Sequence, residues 1–190
     1  RGTNPYPVLL DKTNEAPPYL FMRGNVDLLN EKIVSVVGTR NPSNEGRERA
    51  YRLSKLLGRY GIVVASGLAR GIDTAAHTAA LENNQLTIAV IGTPIIKAYP
   101  KENEKLAEEI IASGGAVVTE LPPNTEPLAF RFPARNRIVS GLSQGLLLAE
   151  AREKSGTLIT VGHALDQGRE VFAVPGEVDS PSSLVPNRMI

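Results

Sequence analysis

The stretch Ile33-Val34-Ser35-Val36-Val37-Gly38-Thr39-Arg40-Asn41-Pro42-Ser43 decides the fold. A five-residue run, almost wholly β-branched and apolar, ends on a glycine, and a polar turn then leads into a segment of helical period. The same rhythm repeats along the chain. Strand candidates lie at Ile33 to Val37, Ile62 to Ala65, Thr87 to Ile91, Ala116 to Thr119, Gly145 to Ala149 and Val171 to Val174. Between them, Ala50, Leu53, Leu57 and Tyr60 recur at helical spacing, as do Leu106, Ala107, Ile110 and Ile111, and the Ala-rich Thr74 to Glu82 suits a helix laid tightly on a sheet. Strands apolar almost throughout and alternating with helices predict an α/β fold, a mostly parallel, doubly wound sheet buried on both faces and flanked by helices. Residues 1 to 31, rich in Pro and Asn, read as a lead-in with one possible edge strand at Tyr19-Leu20-Phe21-Met22, and residues 32 to 190 as the main domain.

Parallel strands all deliver their C-terminal ends to one edge, where ligands of such sheets collect. The residues just after each strand therefore carry the chemistry. They are Gly38-Thr39-Arg40, Ser66-Gly67-Leu68-Ala69-Arg70-Gly71, Gly92-Thr93-Pro94 and Glu120-Leu121-Pro122-Pro123, with Arg135-Asn136-Arg137 before the fifth strand and Lys154-Ser155-Gly156-Thr157 after it, at the start of a helix. Glycine admits a ligand close to backbone N–H groups, hydroxyls add donors, and a helix N-terminus adds partial positive charge, so these turns read as anion cradles. Neither the Walker loop nor the full G-x-G-x-x-G fingerprint is present, which demotes nucleotide hydrolysis and nicotinamide binding. Arg40 and Arg70 beside backbone donors suit phosphate. Arg135 and Arg137, two apart, would not share a helix face, and one of them has an acid such as Glu120 or Glu150 as an alternative partner. Asp73 reads as a helix cap, and His77 and His163 as packed or surface histidines. Phe130 and Phe132 beside Arg131 offer either one or two stacking faces or core packing.

Composition narrows the class. At about 150 residues per domain, 190 residues amount to one domain with a small appendage. Twenty-one Lys and Arg against 20 Asp and Glu give a net charge of +1, so attraction to a polyanion has to be local. The chain has no cysteine and two histidines, which excludes disulfides and thiolate metal sites and argues against a metal centre; no cofactor is expected. No apolar run reaches the length of a membrane span, and residues 1 to 30 lack a signal-peptide block, so a cytoplasmic protein is expected. A chain running from Arg1 to Ile190 reads as a piece of a longer protein.

Several ordered blocks carry a resemblance: Ile33 to Ser43, Ser66-Gly67-Leu68-Ala69-Arg70-Gly71-Ile72-Asp73, Tyr99-Pro100-Lys101-Glu102-Asn103, Phe132-Pro133-Ala134-Arg135-Asn136-Arg137-Ile138, Ser155-Gly156-Thr157-Leu158-Ile159-Thr160 and Gly168 to Gly176. From about Tyr19 to the end the chain resembles the DNA-processing protein A (DprA/Smf) family. The resemblance implies an extended Rossmann-like domain that binds single-stranded DNA without strong sequence preference, forms homodimers, assists loading of the RecA recombinase in natural transformation and catalyses nothing. It also implies that Gly38, Thr39 and Arg40 hold a backbone phosphate, that Ser66, Gly67 and Arg70 line the same pocket, and that Lys101, Arg135 and Arg137 extend its positive rim. Asn136, Ser155, Gly156 and Thr157 complete the candidate set. Members commonly carry further helical and winged-helix domains, which these 190 residues do not show, and Val185-Pro186-Asn187 stands where the family tends to Gly-Cys-Asn.

Two other classes compete. Phosphoribohydrolases of the same superfamily place a catalytic Glu after a Pro-Gly-Gly-x-Gly-Thr turn, and the matching turn here, Lys154 to Ile159, has no such Glu. A mononucleotide sensor would use the same pocket for a single nucleotide.

Overall fold

A computed structural model describes residues 6–190. Seven strands form one sheet: β1 (Phe21–Gly24), β2 (Ile33–Val37), β3 (Val63–Ser66), β4 (Thr87–Val90), β5 (Ala116–Thr119), β6 (Gly145–Leu148) and β7 (Glu170–Ala173). Their order is β1-β5-β4-β3-β2-β6-β7, and every pairing is parallel except β1 with β5. The helices are α1 (Val8–Asp11), α2 (Asn44–Arg59), α3 (Ile72–Glu82), α4 (Glu104–Ala112), α5 (Arg131–Gly141), α6 (Thr157–Asp166) and α7 (Leu184–Met189).

The predicted doubly wound layout is what the chain adopts. β3, β4 and β5 are buried at every residue, as strands covered on both faces must be. Alternate residues enter two cores. Ile33, Val37, Ile88, Val90 and Leu146 pack with Ile138, Leu142 and Val161 of α5 and α6. On the other face Val36 and Val64 meet Ala50 of α2 and Ile72 and Ala76 of α3, while Ala89 and Val117 meet Ala107 and Ile110 of α4. In α3 the alanines at 75, 76, 79 and 80 are buried and let that helix approach the sheet closely.

Strand order reverses at β2. The chain steps outward from β2 to β3, β4 and β5, then returns through α5 to place β6 on the other side of β2. That return opens a crevice above the C-terminal ends of β2 and β6, the place where open α/β sheets take their ligands. The lead-in supplies the antiparallel strand β1, two residues later than the sequence pattern suggested.

Candidate nucleic-acid interface

Three of the predicted turns meet over that crevice. A cavity of about 320 Å³ is lined by Gly38, Thr39 and Arg40 after β2, by Gly67, Ala69 and Asp73 after β3, by Phe132, Arg135 and Asn136 of α5, and by Ser155, Gly156 and Thr157 at the head of α6. A smaller recess of about 50 Å³ shares Arg40, Gly67 and Arg135 with it and adds Arg70, Tyr99 and Pro100.

The head of α6 is the helix terminus offered to the cavity. Ser155 and Thr157 are joined by a 2.9 Å hydroxyl contact, Thr157 donates its hydroxyl to the Gly38 carbonyl at 3.0 Å, and the Gly156 N–H has no protein acceptor among the described residues. The head of α2, by contrast, is already occupied. Glu150, 3% exposed, accepts the Ser43 N–H at 2.9 Å and the Ser43 hydroxyl at 2.6 Å, while Ser43 caps Gly46. An internal carboxylate thus fills the cradle expected where Asn41-Pro42-Ser43 enters the helix. Arg40 is exposed and makes no ion pair among the described residues, so its guanidinium is free to meet an anion.

Several expected contacts turn out otherwise. Ser66 is fully buried and donates to the Val36 carbonyl at 2.6 Å, so it braces β3 against β2 and lines neither recess. Arg135 is not a rim cation. It is 6% exposed, its Nη1 donates to the carbonyls of Gly67 (2.6 Å) and Val90, and its Nε is buried without a partner. Arg137 pairs in two-pronged fashion with Glu120, at 2.8 and 2.6 Å, and lies outside the cavity; of the two arginines it is the one that took the acid. Lys101 is exposed but lines neither recess. Arg70 borders the smaller recess with its guanidinium engaged by Glu102 in an exposed ion pair. Its pKa is raised by that hydrogen bond, and the Glu102 carboxyl is lowered by the same contact. Exposed pairs of this kind are weak, and a phosphate can compete for the arginine.

The loop after β3 is held by partners that sequence reasoning did not find. Asp73 is no cap for α3; its carboxylate accepts the N–H groups of Gly67 (3.0 Å) and Ala69 (3.3 Å). Asn103 donates to the Leu68 carbonyl at 2.9 Å and to the Thr74 hydroxyl at 3.0 Å. These bonds hold Leu68 at φ 58°, a left-handed conformation costly for a branched residue. Gly67 sits between the Asp73 carboxylate and the Arg135 guanidinium, and a Cβ there would come within 2.7 Å of one and 2.8 Å of the other. Burial pushes the Asp73 carboxyl up and the Arg135 guanidinium down to about 10, each opposed by the attraction of the other, and the charge of Arg40 lowers Arg135 further. Gly71, at φ +78°, heads α3 where a Cβ would stand 2.4 Å from the Thr39 carbonyl, so the two cradles touch backbone to backbone.

Phe132 and Tyr99 border the recesses, and Phe130 precedes α5 two residues before Phe132. The rings of Tyr99 and Phe132 lie 5.2 Å apart, Arg131 stands 5.4 Å over the Phe130 ring, and Phe130 is 65% exposed. His77 is wholly buried, its Nδ1 2.8 Å from the Thr87 hydroxyl, and lines neither recess; His163 stands beside Glu15 at 3.8 Å. Among the described residues no cluster of three or more His, Asp or Glu is arranged to hold a metal ion, and no helix is long and apolar enough to cross a membrane.

The family model for DNA recombination-mediator protein A matches residues 1–190. The chain belongs to that family. DNA processing protein DprA of Streptococcus pneumoniae is 47% identical over 173 residues, 91% of this chain and 61% of the relative. Its solved structure gives a TM-score of 0.91 over 98% of this chain and 65% of that one, at 44% identity. Protein Smf of Escherichia coli is 43% identical over 97% of this chain and 50% of its own length. DNA processing protein A from Helicobacter pylori, solved for its single-stranded DNA binding mode, is 27% identical with a TM-score of 0.89, covering 98% of this chain and 86% of that one. The chain thus spans between half and two thirds of the curated relatives of the DNA recombination-mediator protein A family named above.

Proposed function

We propose that this chain binds single-stranded DNA without strong sequence preference and catalyses no reaction on it. A backbone phosphate is received between Thr39, Arg40 and the head of α6, and neighbouring bases rest on Phe130, Phe132 and Tyr99. The observation that carries this reading is the convergence of three Gly- and hydroxyl-rich turns on one cavity whose exposed arginine, Arg40, has no ion-pair partner among the described residues. Phosphate contacts give affinity and aromatic faces tolerate any base, the combination that sequence-blind strand binding requires. Arg70 joins the site by exchanging Glu102 for phosphate, and Asn136, Ser155, Gly156 and Thr157 supply neutral donors. Arg135 acts through the shape of the loop after β3, and Lys101 and Arg137 are left out of the phosphate contact.

The only carboxylate lining the cavity among the described residues is Asp73, which is committed to two backbone N–H groups. That leaves no placed acid to stabilise an oxocarbenium-like transition state and disfavours the phosphoribohydrolase reading. Family membership extends the proposal to a cytoplasmic homodimer that delivers its strand to the RecA recombinase.

Fluorescence anisotropy with labelled oligothymidylate tests the reading. Log affinity is expected to fall linearly with log salt, by about 0.7 per phosphate neutralised. Mononucleotides binding as tightly as the oligomer, or release of free base from a nucleoside monophosphate, would overturn it in favour of the sensor or the hydrolase.

A further inference from the structure

α2 carries five cations, Arg47, Arg49, Arg52, Lys55 and Arg59, against two acids, Glu45 and Glu48, in a protein whose net charge is +1. Four of the five, Arg49, Arg52, Lys55 and Arg59, line one open groove with Leu53 and Leu56 of the same helix and Val174 and Pro175 beyond β7. Among the described residues no acid lines it. None of the four arginines and lysine enters an ion pair among the described residues, whereas Arg23, Arg70, Arg137 and Arg188 elsewhere each have a glutamate. Unneutralised cations gathered along one helix face repel one another, and that arrangement is relieved by a bound polyanion.

The elements that line the groove start from the crevice edge. α2 starts four residues after Arg40, and Val174 and Pro175 leave the C-terminal end of β7, the same edge on which the cavity opens. Arg49 donates to the Pro175 carbonyl at 3.2 Å and ties α2 to the chain beyond β7 at that end. The loop after β6, the strand between β2 and β7, presents Arg152 and Lys154 to solvent. From Arg49 to Arg59 the helix rises about 15 Å, the reach of two or three nucleotides of an extended strand.

We infer that the α2 groove is a second phosphate track, along which a single strand continues after it leaves the cavity. Leu53, Leu56, Val174 and Pro175 offer aliphatic contact to sugars, and the four cations together neutralise the phosphates of that stretch as point charges without reading bases. This inference rests on the strand-binding reading of the cavity but makes a separate demand, that affinity depend on oligomer length.

The test uses oligothymidylates of about five and about twenty nucleotides, one short enough for the cavity alone and one long enough for both surfaces. In the Arg52→Ala/Arg59→Ala double variant, affinity for the long oligomer is expected to fall about tenfold and its salt slope by about 1.4, while the short oligomer binds as before. Arg52→Lys/Arg59→Lys should restore the long-oligomer affinity, because a point charge suffices. Both side chains are exposed, so neither variant threatens the fold. If the wild type binds both oligomers and the double alanine variant matches it on the long one, the track is wrong and the cavity reading survives. Equal weakening on both lengths also overturns it. Wild type that binds neither removes both readings. A labelled acidic Asp/Leu peptide that binds in the groove, with no length effect on DNA, would replace the strand by a protein partner and overturn the inference.

Discussion

Arg40 is the residue on which the proposed contact turns, because it combines exposure, the absence of an ion-pair partner among the described residues and a place between two backbone cradles. Arg40→Ala is expected to weaken single-stranded DNA binding by about 1.5–3 kcal/mol, the range of a charge-assisted bond, and to leave the melting temperature nearly unchanged. A large loss of stability with intact binding would assign Arg40 to the fold instead. Glu102 works in the opposite sense. By holding Arg70 it stands where phosphate would stand, an internal anion that strand binding has to displace. Glu102→Gln should therefore raise affinity severalfold at low salt, with the gain vanishing at high salt as the surface charges are screened. Anisotropy titrations of the variant at two salt concentrations decide the point; an affinity unchanged at low salt would remove Arg70 from the interface.

At the scale of elements, the loop after β3 and the start of α5 form one unit, tied by Arg135 to the carbonyls of Gly67 and Val90 and faced by Asp73. Arg135→Ala strips the buried Asp73 of its balancing charge and leaves two carbonyls without donors. The expected cost is about 3–5 kcal/mol in urea unfolding, the range for breaking a buried charge pair from one side. Arg137→Ala should cost less, since Glu120 keeps some access to water. A smaller loss for Arg135→Ala than for Arg137→Ala would mean that Arg135 is not the strut described. These commitments mark the border of what sequence could tell. Central strands were legible because burial on both faces leaves continuous β-branched runs, and turns were legible because Gly, hydroxyl and Arg cluster at their ends. β1 was displaced by two residues because an edge strand takes its register from its partner β5. α5 had no amphipathic period to announce it, and its Pro133 is tolerated because it falls in the first turn, where no N–H is needed. Which polar group is consumed by the fold was legible only in part: Glu120 stood among the acids expected to take Arg135 or Arg137, but Ser66 with Val36 and Glu150 with Ser43 are paired by strand order, and no local pattern encodes that order.

At the scale of the whole molecule, the same crossover that opens the crevice also buries ionisable groups under it, and stability acquires a pH dependence from one of them. His77 lies on α3 against Thr87 of β4, fully enclosed, and burial together with the charge of Arg135 lowers its pKa from 6.5 to about 3. Above about pH 6.5 the ring is neutral in both folded and unfolded chains and contributes no pH dependence. Between about 6.5 and 3 the unfolded chain takes up a proton that the folded chain refuses, so stability falls with pH at about 1.4 kcal/mol per unit, about 2 kcal/mol by pH 5. Asp73 acts in the other direction. Its raised pKa adds stability at acid pH that is lost as pH rises through the folded value, and that contribution is common to wild type and to any His77 variant. His77→Asn keeps a donor toward the Thr87 hydroxyl, whose own proton goes to the Val64 carbonyl, and removes the titration. Its midpoint in urea should lie below that of wild type at pH 7, and the gap should narrow by about 2 kcal/mol at pH 5. A gap that stays constant between the two pH values would mean that the folded protein accepts the proton at His77, and that the region beneath the cavity is open to water.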